Sequence, residues 1–182
     1  SIPTLVITEP ADEVQLRRTM AALNDYEGPA YLRLFRKELP RIFDESYEFD
    51  LFKADVLKTG KDLTICVSGF QTQDVLDAEK TLSAEGIDAE IINIHTIKPI
   101  DRETIIRSAG KTGVVLTVEN HNVIGGLHSA VLEALAEERV PVCAVAVQDR
   151  FGEVGKLPYL KKVMGLTVED IIAAARRAVS LK

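Results

Sequence analysis

The chain holds 182 residues, 46% hydrophobic and 27% charged, enough for one domain of ordinary size or for one domain and a piece of another. Twenty-two Lys and Arg against 28 Asp and Glu leave a net charge of −6, with no basic run, so the footprint of a nucleic-acid binder is missing. No apolar stretch approaches the roughly 18 residues that span a bilayer, which leaves no membrane partner to expect.

Short β-branched runs alternate with helical-period segments along the chain. Thr4 to Thr8 reads as a strand. Pro10 stops it, and apolar residues at Val14, Leu16, Met20, Ala21 and Leu23 predict a helix over 11–24. Glu27-Gly28-Pro29 is a turn into a second strand, Ala30 to Phe35. Residues 36 to 52 mix Pro40, charges and aromatics without a period. They read as a connection that pins itself to a surface through Phe43, Tyr47 and Phe49.

After that connection come a short strand at Ala54 to Lys58, a tight turn at 59–62, and a strand at Leu63 to Ser68. Such close joining predicts an antiparallel hairpin at one sheet edge. A helix follows at 71–85, then a strand at Ala89 to His95, a helix over 101–108 and a strand at Val114 to Glu119. Gly125-Gly126 opens a helix reaching about Glu138, and Val142 to Val147 is the last strand. Helices at 158–164 and 168–180 close the chain, the second with Thr167 as its N-cap.

This order predicts a Rossmann-like, three-layer α/β domain. Its sheet has five strands and is mixed but mostly parallel, with one antiparallel edge strand. A partial β-α-β unit precedes it. That unit, of about 35 residues, cannot bury its own faces. It reads as the tail of a larger domain, with apolar residues such as Leu5, Ile7, Leu32 and Leu34 awaiting cover.

Cys66 and Cys143 lie inside apolar strands and read as buried, reduced thiols of a cytoplasmic protein. With no CxxC and scattered histidines, no metal site is predicted. Ligands of an open parallel sheet gather beyond the carboxyl ends of its strands. There Glu119 and His121 precede Gly125-Gly126 at a helix start, which would stand titratable groups beside free backbone N–H donors. The alternative is a polar segment whose glycines allow close packing. His95 and His128 read as packing or capping residues. In the strand AYLRLF, alternation puts Tyr31, Arg33 and Phe35 on one face, and Arg36 leaves the strand's carboxyl end. A guanidinium there can hold a phosphate or carboxylate through two parallel hydrogen bonds, or can form an ordinary ion pair with Glu38 or Asp44. No nucleophile motif is present, and no residue is singled out as catalytic.

The segments GPAYLRLFRKELP, INIHTIKPID, VENHNVIGGLHSAV, DRFGEVGKL and GLTVEDI, in this order and spacing, resemble the C-terminal section of transketolase. The resemblance implies the tail of a pyrimidine-binding domain at 1–40, a linker at 41–52 and a transketolase C-terminal domain at 53–182. It implies an enzyme that moves a two-carbon ketol unit between sugar phosphates with thiamine diphosphate and magnesium. The family's diphosphate and metal module begins with Gly-Asp-Gly, and no Gly-Asp dipeptide occurs here. The chain alone is therefore expected to bind no cofactor and to be inactive without an N-terminal transketolase section or subunit. A homodimer is the expected assembly.

Arg36 matches the family's substrate-phosphate arginine, although its neighbours read Phe35-Arg36-Lys37 where Ser-Arg-Gln is usual. GGLHSAV carries His128 for glycine, and FGEVG carries Val154 for serine. The segment holding Glu119, His121, Gly125 and Gly126 would face a neighbouring domain or an anion. Related thiamine enzymes, 1-deoxyxylulose-phosphate synthase and the β subunits of 2-oxo acid dehydrogenases, share this domain and are the enzymatic alternatives. A regulatory anion-binding or dimerisation module is the non-enzymatic one.

Overall fold

The structure is a computed structural model and describes residues 2–182. Strand β1 (Val6–Thr8), helix α1 (Glu13–Asp25) and strand β2 (Ala30–Leu32) form the first unit, with β1 and β2 parallel. Asp12 caps α1, its Oδ1 accepting from the Gln15 N–H at 2.8 Å. Its Oδ2 accepts from the Ile42 and Phe43 N–H groups at 2.7 and 2.8 Å, so one buried carboxylate fastens both the helix and the connection that follows. Tyr47 packs on Phe43 at 4.1 Å within that connection, and Phe49 packs on His95 at 4.6 Å, which fastens it beside the five-stranded sheet described next.

The main sheet has the order β3-β5-β4-β7-β8, from β3 (Asp55–Lys58), β4 (Leu63–Val67), β5 (Ala89–Asn93), β7 (Val115–Asn122) and β8 (Val142–Val147). All its pairs are parallel except the edge strand β3. That edge is antiparallel as expected, but its neighbour is β5 and not β4. The expected hairpin is absent because β5 lies between the two strands. Lys61 and Asp62 donate their N–H groups to the Asp88 carbonyl, so the turn steps over the start of β5.

Helices α2 (Gln71–Ala84) and α6 (Val168–Val179) cover one face, and α3 (Arg102–Thr112) and α4 (Leu127–Ala134) cover the other. Between α4 and α6 in the chain, after β8, stands the short α5 (Leu157–Met164). Alternation along β4 sends Leu63, Ile65 and Val67 into the first core and Cys66 into the second. Both faces are covered, so the central strands read as continuous apolar runs. Burial pushes the Cys66 thiol up to about 12, which makes it inert, whereas Cys143 on the edge strand is only half-buried.

Two further differences matter for the site. Residues Thr96–Lys98 form a strand, β6, which pairs antiparallel with β1 and makes a three-stranded sheet of order β2-β1-β6. The C-terminal domain thereby supplies part of the cover that the first unit lacks. Val6 and Thr8 are buried, Leu5, Ile7 and Leu32 are half-buried, and Leu34 stays exposed. The strand β7 also runs three residues past Glu119, so Glu119 and His121 belong to a strand end rather than a loop.

Candidate functional site

From β4 the chain crosses through α2 to β5 on one face, then returns through α3 on the other to β7. The order therefore reverses between β4 and β7, and their carboxyl ends bound the crevice where such sheets hold ligands. Ser68, Gly69 and Phe70 form one wall, and Glu119 to Asn122 form the other.

Glu119 is 1% exposed, and its two carboxylate oxygens accept from the N–H groups of Leu127 and His128 at 2.6 and 2.8 Å. It thus caps α4 from a neighbouring strand, where a negative charge suits the helix dipole. Burial raises its pKa, and the two N–H donors oppose the rise. Gly126 makes the approach feasible: a Cβ there would lie 2.1 Å from Glu119 Oε2 and 2.8 Å from His121 Nδ1. The Gly125 N–H donates to Ser129 Oγ at 2.8 Å. The backbone donors expected to be free at this helix start are therefore engaged by the chain's own side chains. His121 is exposed and its Nδ1 contacts the Asn122 carbonyl at 2.9 Å.

The crevice is filled from the first unit. Glu9, 7% exposed, pairs with the Arg33 guanidinium and accepts from Ser68 Oγ at 2.9 Å. Arg33 Nη2 donates to the Asn120 carbonyl at 2.6 Å, so Arg33 joins Glu9 to the end of β7. Phe35 stacks on Phe70 with ring centres 4.4 Å apart. The alternation expected for AYLRLF holds at Arg33 and Phe35, which both reach the C-terminal domain, while Tyr31 is exposed. Arg36 is exposed and makes no ion pair with Glu38 or Asp44 among the described residues. Asp44 instead accepts from the Ser46 N–H at 2.8 Å.

The histidines read as packing residues behave that way. His128 Nδ1 meets Thr117 Oγ1 at 3.1 Å. His95 is buried, with Nδ1 on Thr96 Oγ1 at 2.9 Å and Nε2 3.8 Å from Asp55 Oδ2. Asp55 Oδ2 accepts from Tyr47 Oη at 2.6 Å and from Gln15 Nε2 at 3.0 Å. Burial lifts the Asp55 carboxyl to about 6 and depresses His95 to about 4. Neither Glu9 nor this Gln15–Tyr47–Asp55 cluster is picked out by sequence reasoning. The one signal for Glu9 is an acidic residue at the carboxyl end of β1, just before Pro10.

A three-layer α/β domain, with its switch-point crevice filled by side chains from a preceding β-α-β unit, is the class that fold and site define. The profile of the family "Transketolase, C-terminal domain" matches residues 52–171. The chain is 45% identical over its whole length to the 6-deoxy-6-sulfo-D-fructose transketolase subunit SqwH of Clostridium sp. strain MSTE9, spanning 57% of that protein. Over 94% of the chain it is 36% identical to a putative transketolase C-terminal section of Methanocaldococcus jannaschii, spanning 54% of it. A solved split-gene transketolase, described as an inactive β4 tetramer, superposes with a TM-score of 0.95 at 44% identity, covering 99% of this chain and 59% of that one. This chain belongs to the transketolase family and contains its C-terminal domain. It spans between half and three-fifths of the length of these relatives.

Proposed function

We propose that this chain is the C-terminal portion of a thiamine-diphosphate-dependent transketolase that moves a two-carbon ketol unit between acidic sugars. The observation that carries the reading is its end-to-end similarity to transketolase subunits of which it spans little more than half. Its own residues do not fit the cofactor. The sequence has no Gly-Asp dipeptide, and among the described residues no group of three or more His, Cys, Asp or Glu is arranged to hold a metal. In this reading the ligands of magnesium and diphosphate come from an N-terminal section or subunit, and the chain alone is inactive. Residues 1–40 then end the pyrimidine-binding domain, residues 41–52 link, and residues 53–182 serve assembly in a cytoplasmic homodimer or a larger closed oligomer.

Arg36 is the residue assigned to substrate. It lies exposed and uncommitted four residues beyond the end of β2, as a grip for the acidic end of a sugar requires. Two relatives are named for a sulfonated and a phosphorylated sugar. One is SqwH, and the other is part of the apulose-4-phosphate transketolase of Phocaeicola vulgatus, 37% identical over 82% of this chain. Both sugar ends present oxygen anions that a guanidinium fork can hold, so an acidic terminal group is the shared requirement.

The test is to combine this chain with its N-terminal section and assay ketol transfer from xylulose 5-phosphate, from 6-deoxy-6-sulfofructose and from 2-oxo acids. Transfer from an acidic ketose, dependent on both sections and on thiamine diphosphate, is the expected result. Turnover of 2-oxo acids alone would move the chain to the dehydrogenase relatives. Condensation of pyruvate with a triose phosphate would favour the synthase relatives, one of which is 34% identical over the whole chain.

A further inference from the structure

We propose that Glu9 is a positioning residue for Arg36, acting through Arg33. The proposal rests on the reading of Arg36 as the grip for the sugar's acidic end. The segment carrying Arg36 is too short to place itself, because β2 ends at Leu32 and Leu34 is exposed. Two mounts hold it against the C-terminal domain. One is the stack of Phe35 on Phe70. The other is the Arg33 guanidinium, held between the Glu9 carboxylate and the Asn120 carbonyl.

Glu9 is the keystone of the second mount. Its backbone N–H donates to the His95 carbonyl at 2.7 Å, and its side chain accepts from Ser68 at 2.9 Å. Gly69, with φ +56, leaves the space it needs: a Cβ there would lie 2.7 Å from the Glu9 side chain. The crevice is thus shaped to this carboxylate, which meets both domains. A charge so little exposed is poorly screened and directional, so it fixes the guanidinium in one pose. Fixing Arg33 and Phe35 against the C-terminal domain anchors the short segment that ends in the exposed Arg36 and limits where its guanidinium can reach. The crevice that commonly binds a ligand in this sheet type here sets the orientation of a site beyond it.

The test uses the complete enzyme and compares a phosphorylated or sulfonated ketose with hydroxypyruvate, which has no acidic sugar terminus. Glu9→Ala should raise KM for the acidic ketose roughly tenfold with kcat little changed, since a small misplacement of a binding group is costly. KM for hydroxypyruvate should hold. Glu9→Gln, which keeps one acceptor oxygen for Arg33 and lets the Ser68 hydroxyl accept from the new amide, should restore part of the affinity. In an Arg36→Ala background Glu9→Ala should add nothing, because one residue acts through the other. Amide exchange of residues 33–36 in the chain alone should quicken in Glu9→Ala while the strands of the main sheet stay protected.

Should Glu9→Ala destabilise the chain globally, Phe70→Leu weakens the other mount and should give the same selective rise in KM. An additive effect in the Arg36→Ala background, or equal losses on both substrate classes, overturns the role of Glu9 while leaving Arg36 in place. If Arg36→Ala itself does not discriminate between the substrate classes, the reading of Arg36 fails and this role falls with it.

Discussion

At the scale of single residues, the sharpest expectation concerns Arg36. Truncating one partner of a desolvated charge pair costs about 2–5 kcal/mol, and an exposed guanidinium belongs near the lower end. Arg36→Ala in the complete enzyme should lower kcat/KM for acidic sugars by roughly tenfold to a thousandfold, mostly through KM. Arg36→Lys should recover only part, keeping the charge without the fork. The loss on hydroxypyruvate should be far smaller, and equal losses would make Arg36 a structural residue.

A second residue-scale expectation comes from the cluster between the linker and β5, and it concerns pH. Asp55, lifted from 3.8 to about 6 by burial, contributes stability below pH 3.8 that is lost as pH rises through about 6. His95, depressed from 6.5 to about 4, contributes stability above pH 6.5 that is lost as pH falls through about 4. The two slopes oppose each other across nearly the same window, each worth on the order of 2–3 kcal/mol. Relative to the parent, Asp55→Asn should therefore gain stability as pH rises from 4 to 6. His95→Gln should lose it over the same range. Urea midpoints at several pH values measure this directly, and two flat difference profiles would refute it.

At the scale of elements, helix ends carry the testable energetics. Thr167 accepts from the Asp170 N–H at 3.2 Å while Asp170 accepts from the Thr167 N–H at 2.9 Å, a complete capping box on α6. Thr167→Ala should cost about 1 kcal/mol. Helix α4 has no local cap and borrows Glu119 from β7. Glu119→Ala strands two N–H donors, one of them buried, and should cost more, about 1–3 kcal/mol. Denaturant midpoints should rank the two variants in that order. The reverse ranking would mean that water replaces Glu119 without penalty. Thr167 is recognisable in the sequence because a local cap sits at a fixed offset from the helix it serves. Glu119 is visible only as an acidic residue near two glycines, since its partner lies on another element.

At the scale of the whole molecule, the open edges govern behaviour. Strand β2 ends one sheet and β8 the other, and Ile2, Met20, Tyr31 and Leu34 remain exposed. Unpaired strand edges beside apolar side chains favour association. The chain alone should sediment as a dimer or a larger closed assembly at micromolar concentration, and a clean monomer would count against this. Adding the N-terminal section should redistribute that assembly, because both would compete for the edge of β2.

The alternation of strands and helices, the burial of Cys66 and the Thr167 cap were legible in the sequence because each depends on near neighbours and on periodicity, whereas the antiparallel edge was read from a hairpin that does not form and owes its direction to a strand distant in sequence. Tertiary structure alone decided that β5 slips between β3 and β4, and that Thr96–Lys98 becomes a strand of the other sheet. It alone brought Glu9 and Arg33 into the crevice between Ser68 and Asn120. Backbone groups of a three-residue strand, and a carboxylate 59 positions from its hydroxyl partner, have no local preference that reveals where they will pair. Their partners are set by packing the first β-α-β unit against the five-stranded sheet and its flanking segments, and the cost of leaving a buried charge or N–H unpaired then selects one arrangement.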